Sequence, residues 1–220
     1  MIHFRASAIS ELMADGKGSD GLSVGAKTYL NSMAKEFFYG FTEVIDNKYF
    51  KKGIQCENIG IELLNDVLFT NYKKNTERKK NDWITGEPDI IIPGKKIIDI
   101  KLAWSLATFP ATSDEVAATS KKSGYDYQLA AYMWLFDIDE AEIAYCMVTT
   151  PEDLRKYEQP ELHEVDHIDT ALRVSRCTFK RDKGIEEKMK SKVIAARNYL
   201  ENYAAQIRLD HIHDEIRKAA

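Results

Sequence analysis

Three charged side chains of this 220-residue chain stand in runs that otherwise read as buried. The stretch "GEPDIIIPGKKIIDIK", Gly86 to Lys101, has the pattern of two apolar strands about a tight turn, yet it carries Asp89 in the first run and Asp99 and Lys101 in the second. A charge taken out of water is costly unless it is paired or holds a metal. Side chains alternate along a strand, so Asp99 and Lys101 share one face and Ile98, Ile100 and Leu102 the other. Asp89 joins them only if the loop has an odd number of residues, because directly opposed residues of a hairpin project to the same side. Proline fixes φ near −65°, so Pro93-Gly94 cannot form the type I′ turn of a two-residue loop, and three-residue loops commonly place glycine in the left-handed position. The turn chemistry therefore predicts that Asp89, Asp99 and Lys101 converge.

A third acid comes from a helix. From Gly53 to Phe69 the spacing is helical, and Glu57 continues the Ile61–Leu64–Leu68 stripe, while Glu62 lies with Asn58, Asn65 and Asp66 on the polar side. This geometry aims Glu57 at the core and Glu62 at solvent. Three inward carboxylates beside a lysine form a hard-cation site, since Mg²⁺ takes oxygen ligands from a few carboxylates, waters and substrate phosphates.

The elements that must position these groups alternate in type. Residues 1 to 50 read as helices joined by the loop "ADGKGSDG", and "NYKKNTERKKND" as an exposed basic connection. Two strands follow, "WITGEPDIII" and "KKIIDIKLA", then a mobile loop over residues 105 to 121. "YDYQLAAYMWLF" is an amphipathic helix, "AEIAYCMVTT" and "LRVSRCTFK" are strands, and a long charged helix runs from about Asp182 to Arg217. The sum is one α/β domain with a mixed central sheet flanked by helices.

Composition narrows the function classes. With 44% apolar and 30% charged residues the chain is an ordinary globular sequence, and no apolar run approaches the roughly 20 residues that span a bilayer. The start, "MIHFRASAIS", lacks the pattern of a secretory signal, and Cys56, Cys146 and Cys177 are scattered, so a reducing cytoplasm is expected. A net charge of −4 argues against general polyanion binding but not against a local basic groove or a metal-dependent nucleic-acid site.

These residues resemble the motifs of the PD-(D/E)XK nuclease superfamily, in the RecB-like and phage lambda exonuclease (YqaJ-type) group. "KGIQCE" is similar to the Gly-x-x-x-Glu helix motif, giving Glu57; "GEPDIII" to the Pro-Asp strand, giving Asp89; "IIDIK" to (D/E)-x-K, giving Asp99 and Lys101; and "QLAAY" to the Gln-x-x-x-Tyr helix motif, giving Gln128 and Tyr132. Residues 50 to 150 carry the resemblance, with an N-terminal helical part before and a C-terminal helix after. It implies a restriction-endonuclease-like α/β fold and a cytoplasmic DNA exonuclease of a bacterium or phage-infected cell, acting on duplex ends in recombination. It further implies one or two Mg²⁺ or Mn²⁺ ions on Glu57, Asp89, Asp99 and the carbonyl of Ile100, which activate water and neutralise phosphate charge. Lys101 would position or deprotonate the water or stabilise charge, with Gln128 and Tyr132 supporting the site or the DNA backbone. Partners implied by the family are DNA, a single-strand annealing protein and further copies of the chain in a ring. The scattered cysteines predict no iron–sulfur cluster.

Other residues are candidates for the DNA path: Lys73, Lys74, Arg78, Lys79 and Lys80 in the basic connection, Lys121 and Lys122, and Arg5 and Ser7 in "FRAS", Ser7 reading equally as a helix N-cap. Trp104 stands next to the lysine strand and could contact substrate, although core packing is the default for tryptophan. "HEVDH", His163 to His167, matches a zinc-peptidase pattern that requires a helix, but Pro160 and the absence of a third ligand favour a polar connection. A nuclease fold that binds without cutting is the rival from another class.

Overall fold

The computed structural model describes residues 2–43 and 46–219, with side chains described to residue 211. In chain order its elements are β1 (Phe4–Arg5), α1 (Ser10–Met13), α2 (Val24–Tyr39), α3 (Lys48–Leu68), β2 (Lys79–Lys80), β3 (Ile84–Gly86), β4 (Ile90–Ile92), β5 (Lys96–Leu102), α4 (Ser113–Ser123), α5 (Tyr125–Phe136), β6 (Glu140–Cys146), β7 (Val174–Lys180) and α6 (Lys183–Ala219). They build a mixed α/β fold with two sheets. A four-stranded sheet has the order β4-β5-β6-β7, with β5 and β6 parallel and both outer pairs antiparallel. A small sheet has the order β1-β3-β2.

The turn between β4 and β5 has the expected odd length. Ile92 pairs with Lys96 and Ile90 with Ile98, so Pro93, Gly94 and Lys95 form the loop and the next position places Asp89 opposite Asp99. Gly94 takes φ of 65°, the left-handed conformation a side chain would resist.

Helices cover both faces of the larger sheet. Cys56, Ile61, Leu63 and Leu64 of α3 pack on Ile90, Ile98, Ile100, Ala144 and Cys146. On the opposite face, Ile97, Ala141, Ile143 and Tyr145 join a larger core with α1, α2, α5 and α6. Alternation along β5 therefore points Asp99 and Lys101 at α5 and Ile98 and Ile100 at α3.

Several expectations are corrected. The run 83–92 is not one strand: Pro88 cannot donate to a ladder, and the chain crosses there from the small sheet to the large one. α3 starts at Lys48, five residues earlier than predicted, with the Asn47 side chain accepting from Tyr49 N (2.8 Å). Residues 105–121 are not a mobile loop, since Leu106–Thr108 form a 3₁₀ turn and α4 opens with a capping box between Thr112 and Glu115. α5 is not amphipathic, because it is wedged between the sheet and the N-terminal helices and buries Gln128, Leu129, Ala130, Ala131, Tyr132, Met133 and Phe136. α6 is more than a solvated brace: Met189, Val193, Ala196 and Leu200 are buried against the core. Among the described residues, no helix is long and apolar enough to cross a membrane.

Candidate active site

The larger sheet is open along part of β5. Among the described residues β4 pairs only with Lys96–Ile98, so from Asp99 onward β5 has a neighbour on one side, β6. Into this open edge turns the Asp89 carboxylate, whose Oδ2 accepts from Ile100 N at 2.6 Å. The N–H and C=O of one strand residue point the same way, so the Ile100 carbonyl also faces the open edge.

Asp99 and Lys101 come up beside Asp89. Asp99 is buried, and its Oδ1 accepts from Gln128 Nε2 at 3.2 Å. Its Oδ2 stands 2.7 Å from Lys101 Nζ, yet that oxygen has no aligned hydrogen bond. Lys101 Nζ donates to Gln128 Oε1 at 3.3 Å and lies 4.1 Å from the centre of the Tyr125 ring, a cation–π contact. Gln128 Nε2 also donates to Tyr132 Oη at 3.0 Å. One amide thus fixes an acid, the lysine and a phenol.

The electrostatics follow from this crowding. Burial, then the neighbouring Asp99, push the Asp89 carboxyl up to about 8, against the pull of Lys101 and the Ile100 amide. Burial works against the Lys101 ammonium, but Asp99 outweighs it and the net shift is upward. Burial, then Asp99, raise the Tyr132 phenol as well.

Glu57 reaches the same cleft from the other face of the sheet. The stripe α3 buries runs Lys52, Cys56, Gly60 and Ile61, Leu63 and Leu64, so Glu57 lies at its edge rather than in the core. Its side chain is 24% exposed and takes Lys74 Nζ at 2.8 Å. Glu62 is exposed, as expected. With Glu57 turned to Lys74, no three His, Cys, Asp or Glu side chains among the described residues stand close enough together to hold an ion.

The donor set nevertheless fits a hard divalent cation. Two carboxylates are forced together with one oxygen lacking a hydrogen bond, a strand carbonyl faces them, and a third carboxylate waits at the rim on an exchangeable surface ion pair. The cleft encloses about 720 Å³, large enough for a nucleotide, and Glu57, Asp89, Asp99, Ile100, Lys101, Gln128 and Tyr132 all line it.

The basic candidates divide. Lys74 stands at the rim through its pair with Glu57, and Arg78 lies near Tyr132 and pairs with Glu87 at 2.9 Å. Ser7 lines the cleft from the turn before α1, and the N-cap position of that helix is Ile9, so Ser7 is not a cap. Arg5 is exposed on β1. Lys79 and Lys80 form β2, with Lys79 over the Phe136 ring, and Lys73 lines a separate recess beside Asn58 and Glu62. Lys121 and Lys122 flank another recess with Ser10 and Glu11. These last five residues do not line the carboxylate cleft.

Sequence reasoning missed the aromatic walls. Tyr49, Phe50, Tyr125 and Tyr145 line the cleft with Trp104, whose Nε1 donates to Glu158 at 2.9 Å. Tyr125 was findable, since it precedes Gln128 by one helical turn. The zinc-peptidase pattern is overturned: His163 is fully buried between Thr150 Oγ1 (3.1 Å) and Glu158 Oε2 (3.0 Å), His167 is exposed, and a turn separates them.

No protein-family model matches the chain, and no curated protein matches it significantly. Solved structures do. The chain is similar to a phage-related exonuclease from Haemophilus somnus 129PT, with 32% identity, a TM-score of 0.87, and coverage of 94% of this chain and 96% of that one. It shares its fold with an alkaline exonuclease, LHK-Exo from Laribacter hongkongensis, at 13% identity and a TM-score of 0.62, covering 99% of this chain and 95% of that one. The same enzyme in complex with dAMP superposes with a TM-score of 0.61 and 13% identity, with the same coverage of both chains.

Proposed function

Because the chain belongs to the PD-(D/E)XK nucleases, in the branch of the phage-related, YqaJ-type exonucleases, we propose that it is a metal-dependent deoxyribonuclease that degrades DNA from duplex ends. One observation carries this reading: Asp99, Lys101 and Gln128 form a polar cluster, with Asp89 held beside it by the Ile100 amide, on an open sheet edge at the floor of a nucleotide-sized cleft.

In this reading Asp89, Asp99 and the Ile100 carbonyl would hold Mg²⁺ or Mn²⁺, and Glu57, once parted from Lys74, would complete the set. The ion would supply Lewis-acid polarisation of the scissile phosphate and acidify the attacking water. Lys101 has three N–H directions, of which Gln128 takes one, with Asp99 Oδ2 at ion-pair distance but not aligned with another, so the lysine keeps donors for a phosphate oxygen or the water. Gln128 locks the lysine and Asp99 in register, so their geometry is set before substrate arrives. Lys74, released from Glu57, and Arg78 bind backbone phosphates at the rim, and Ser7 hydrogen-bonds a phosphate at the strand end. A role in recombination, with an annealing protein and a ring of copies, follows from the family alone.

Incubation of 5′- and 3′-labelled linear and circular DNA with Mg²⁺ tests the reading. It predicts degradation of linear duplexes from an end, circular DNA left intact, and loss of activity in Asp99→Ala and Lys101→Ala chains that keep their helical content. Undiminished degradation by both variants would refute it.

A further inference from the structure

Glu57 and the Asp89–Asp99 pair lie on opposite sides of the sheet edge, so the height of α3 over the sheet decides whether they can act together. Beside the apolar packing of Cys56, Ile61, Leu63 and Leu64, two contacts that flank Glu57 fix that height. At Gly60 the helix touches the strands directly: a Cβ there would stand 2.8 Å from Leu102 Cδ2 and 3.1 Å from Ile100 Cγ2. Eight residues earlier, about 12 Å along the axis, Lys52 is 1% exposed and enters the sheet end-on. The three N–H groups of its ammonium are shared among four acceptors, the carbonyls of Ala103 (2.7 Å), Trp104 (3.2 Å) and Val148 (3.0 Å) and Thr150 Oγ1 (2.7 Å). Ala103 and Trp104 directly follow the strand that carries Asp99 and Lys101, and Val148 and Thr150 follow its parallel neighbour β6. Glu57 sits between the two contacts.

We propose that Lys52 is a positioning residue of the cleft: its buried ammonium stitches α3 to the ends of β5 and β6 and so brings Glu57 within reach of Asp89 and Asp99. The burial has no simpler purpose in packing. A methionine of similar length would fill the space without desolvating a charge, whereas the lysine satisfies carbonyls that the sheet ends leave unpaired. The stitch is braced from outside. Thr150 Oγ1 donates onward to the Trp104 carbonyl (3.0 Å) and faces His163, which Glu158 holds together with the Trp104 indole and Lys48 at the start of α3. The motif that suggested zinc is thus part of the scaffold that fixes the N-terminal end of α3.

This role rests on the nuclease reading, in which Glu57 serves the metal. The test compares Lys52→Met with Lys192→Met in the full-length chain. Lys192 is the natural control: it is 6% exposed and donates to the carbonyls of Ala14 (3.0 Å) and Gly21 (2.6 Å), pinning α6 to the N-terminal loop away from the cleft. Both variants should lose stability in urea. Only Lys52→Met should lower kcat on linear DNA, by about a hundredfold, with KM for DNA unchanged. Only Lys52→Met should weaken Mn²⁺ binding measured by calorimetry without DNA, by about tenfold. If Lys52→Met does not fold, Thr150→Val, which removes one acceptor, should shift kcat and Mn²⁺ affinity in the same direction. Equal kcat and Mn²⁺ affinity in the Lys52 and Lys192 variants, or an unshifted Thr150→Val when Lys52→Met is unfolded, would overturn the role of Lys52. A wild-type chain that degrades no DNA with Mg²⁺ would instead remove the nuclease reading, and the role with it.

Discussion

Replacing Asp89 with asparagine should make the protein more stable and inactive at once. The carboxylate is pressed against Asp99, with burial and that neighbour together carrying its ionisation from the ordinary 3.8 to about 8. At about 1.36 kcal/mol per pH unit the full displacement corresponds to about 6 kcal/mol held against ionisation. Asp89 is only half-buried and opens on the cleft, so solvent screening reduces this to about 2 kcal/mol. The sign is that of a raised acid. Below the ordinary carboxylate range both folded and unfolded chains are protonated. From there up through about 8 the folded chain keeps a proton that the unfolded chain has released, so stability is lost as pH rises through that window. Asparagine has no proton to lose; its Oδ1 can accept from Ile100 N while its amide donates to Asp99. Urea titrations with chelator present should therefore show Asp89→Asn more stable than wild type by about 2 kcal/mol near pH 9 and nearly equal near pH 4.5. Added Mn²⁺ should raise the wild-type midpoint and leave the variant unmoved, and DNA degradation should fall by at least about a hundredfold. A variant less stable than wild type near pH 9, or an offset independent of pH, would refute the electrostatic reasoning.

Three further outcomes follow from single contacts. Gly60→Ala places a methyl 2.8 Å from Leu102 Cδ2 and should cost about 1–3 kcal/mol of overpacking, partly offset by about 1 kcal/mol of helix propensity; unchanged urea stability and unchanged DNA degradation together would contradict the close approach of α3. Gln128→Leu leaves the buried Asp99 Oδ1 without its donor and frees Lys101, so a loss of about 1–3 kcal/mol is expected in urea, with nuclease activity reduced; full activity would show that the amide positions nothing. His163→Phe removes one hydrogen bond from each of Thr150 and Glu158, which keep their other partners, and should destabilise the chain by about 1 kcal/mol, while elemental analysis of the wild type finds no stoichiometric zinc; zinc lost with the histidine would restore the peptidase pattern.

What the sequence disclosed about this site was local. Pro93-Gly94 dictates a three-residue loop, and period-two alternation then places Asp89 opposite Asp99 with Lys101 on the same face, so the floor of the cleft needed no tertiary information. α5 was legible to its end residues because Gly124, at φ of 71°, closes α4 before it and Asp137 closes it in turn. The position of Glu57 was less legible: a helical stripe drawn through apolar residues alone omits Lys52 and Gly60, and so rotates the buried face toward Glu57. A buried lysine betrays itself only through carbonyls supplied by strand ends about fifty and a hundred residues away. The helix over residues 113–123 was missed for a different reason, since Thr112 and Glu115 spell a capping box that small polar residues disguised. The walls of Tyr49, Phe50 and Tyr145 come together only when α3 and β6 pack, and no spacing along the chain announces them.

The most direct test is a crystal soaked in Mn²⁺ and examined by anomalous diffraction. A peak between the side chains of Asp89 and Asp99, against the Ile100 carbonyl and with Glu57 swung away from Lys74, is the predicted result. Saturating Mn²⁺ that leaves this edge of the sheet without a peak, while the soaked protein still cuts DNA, would contradict the account.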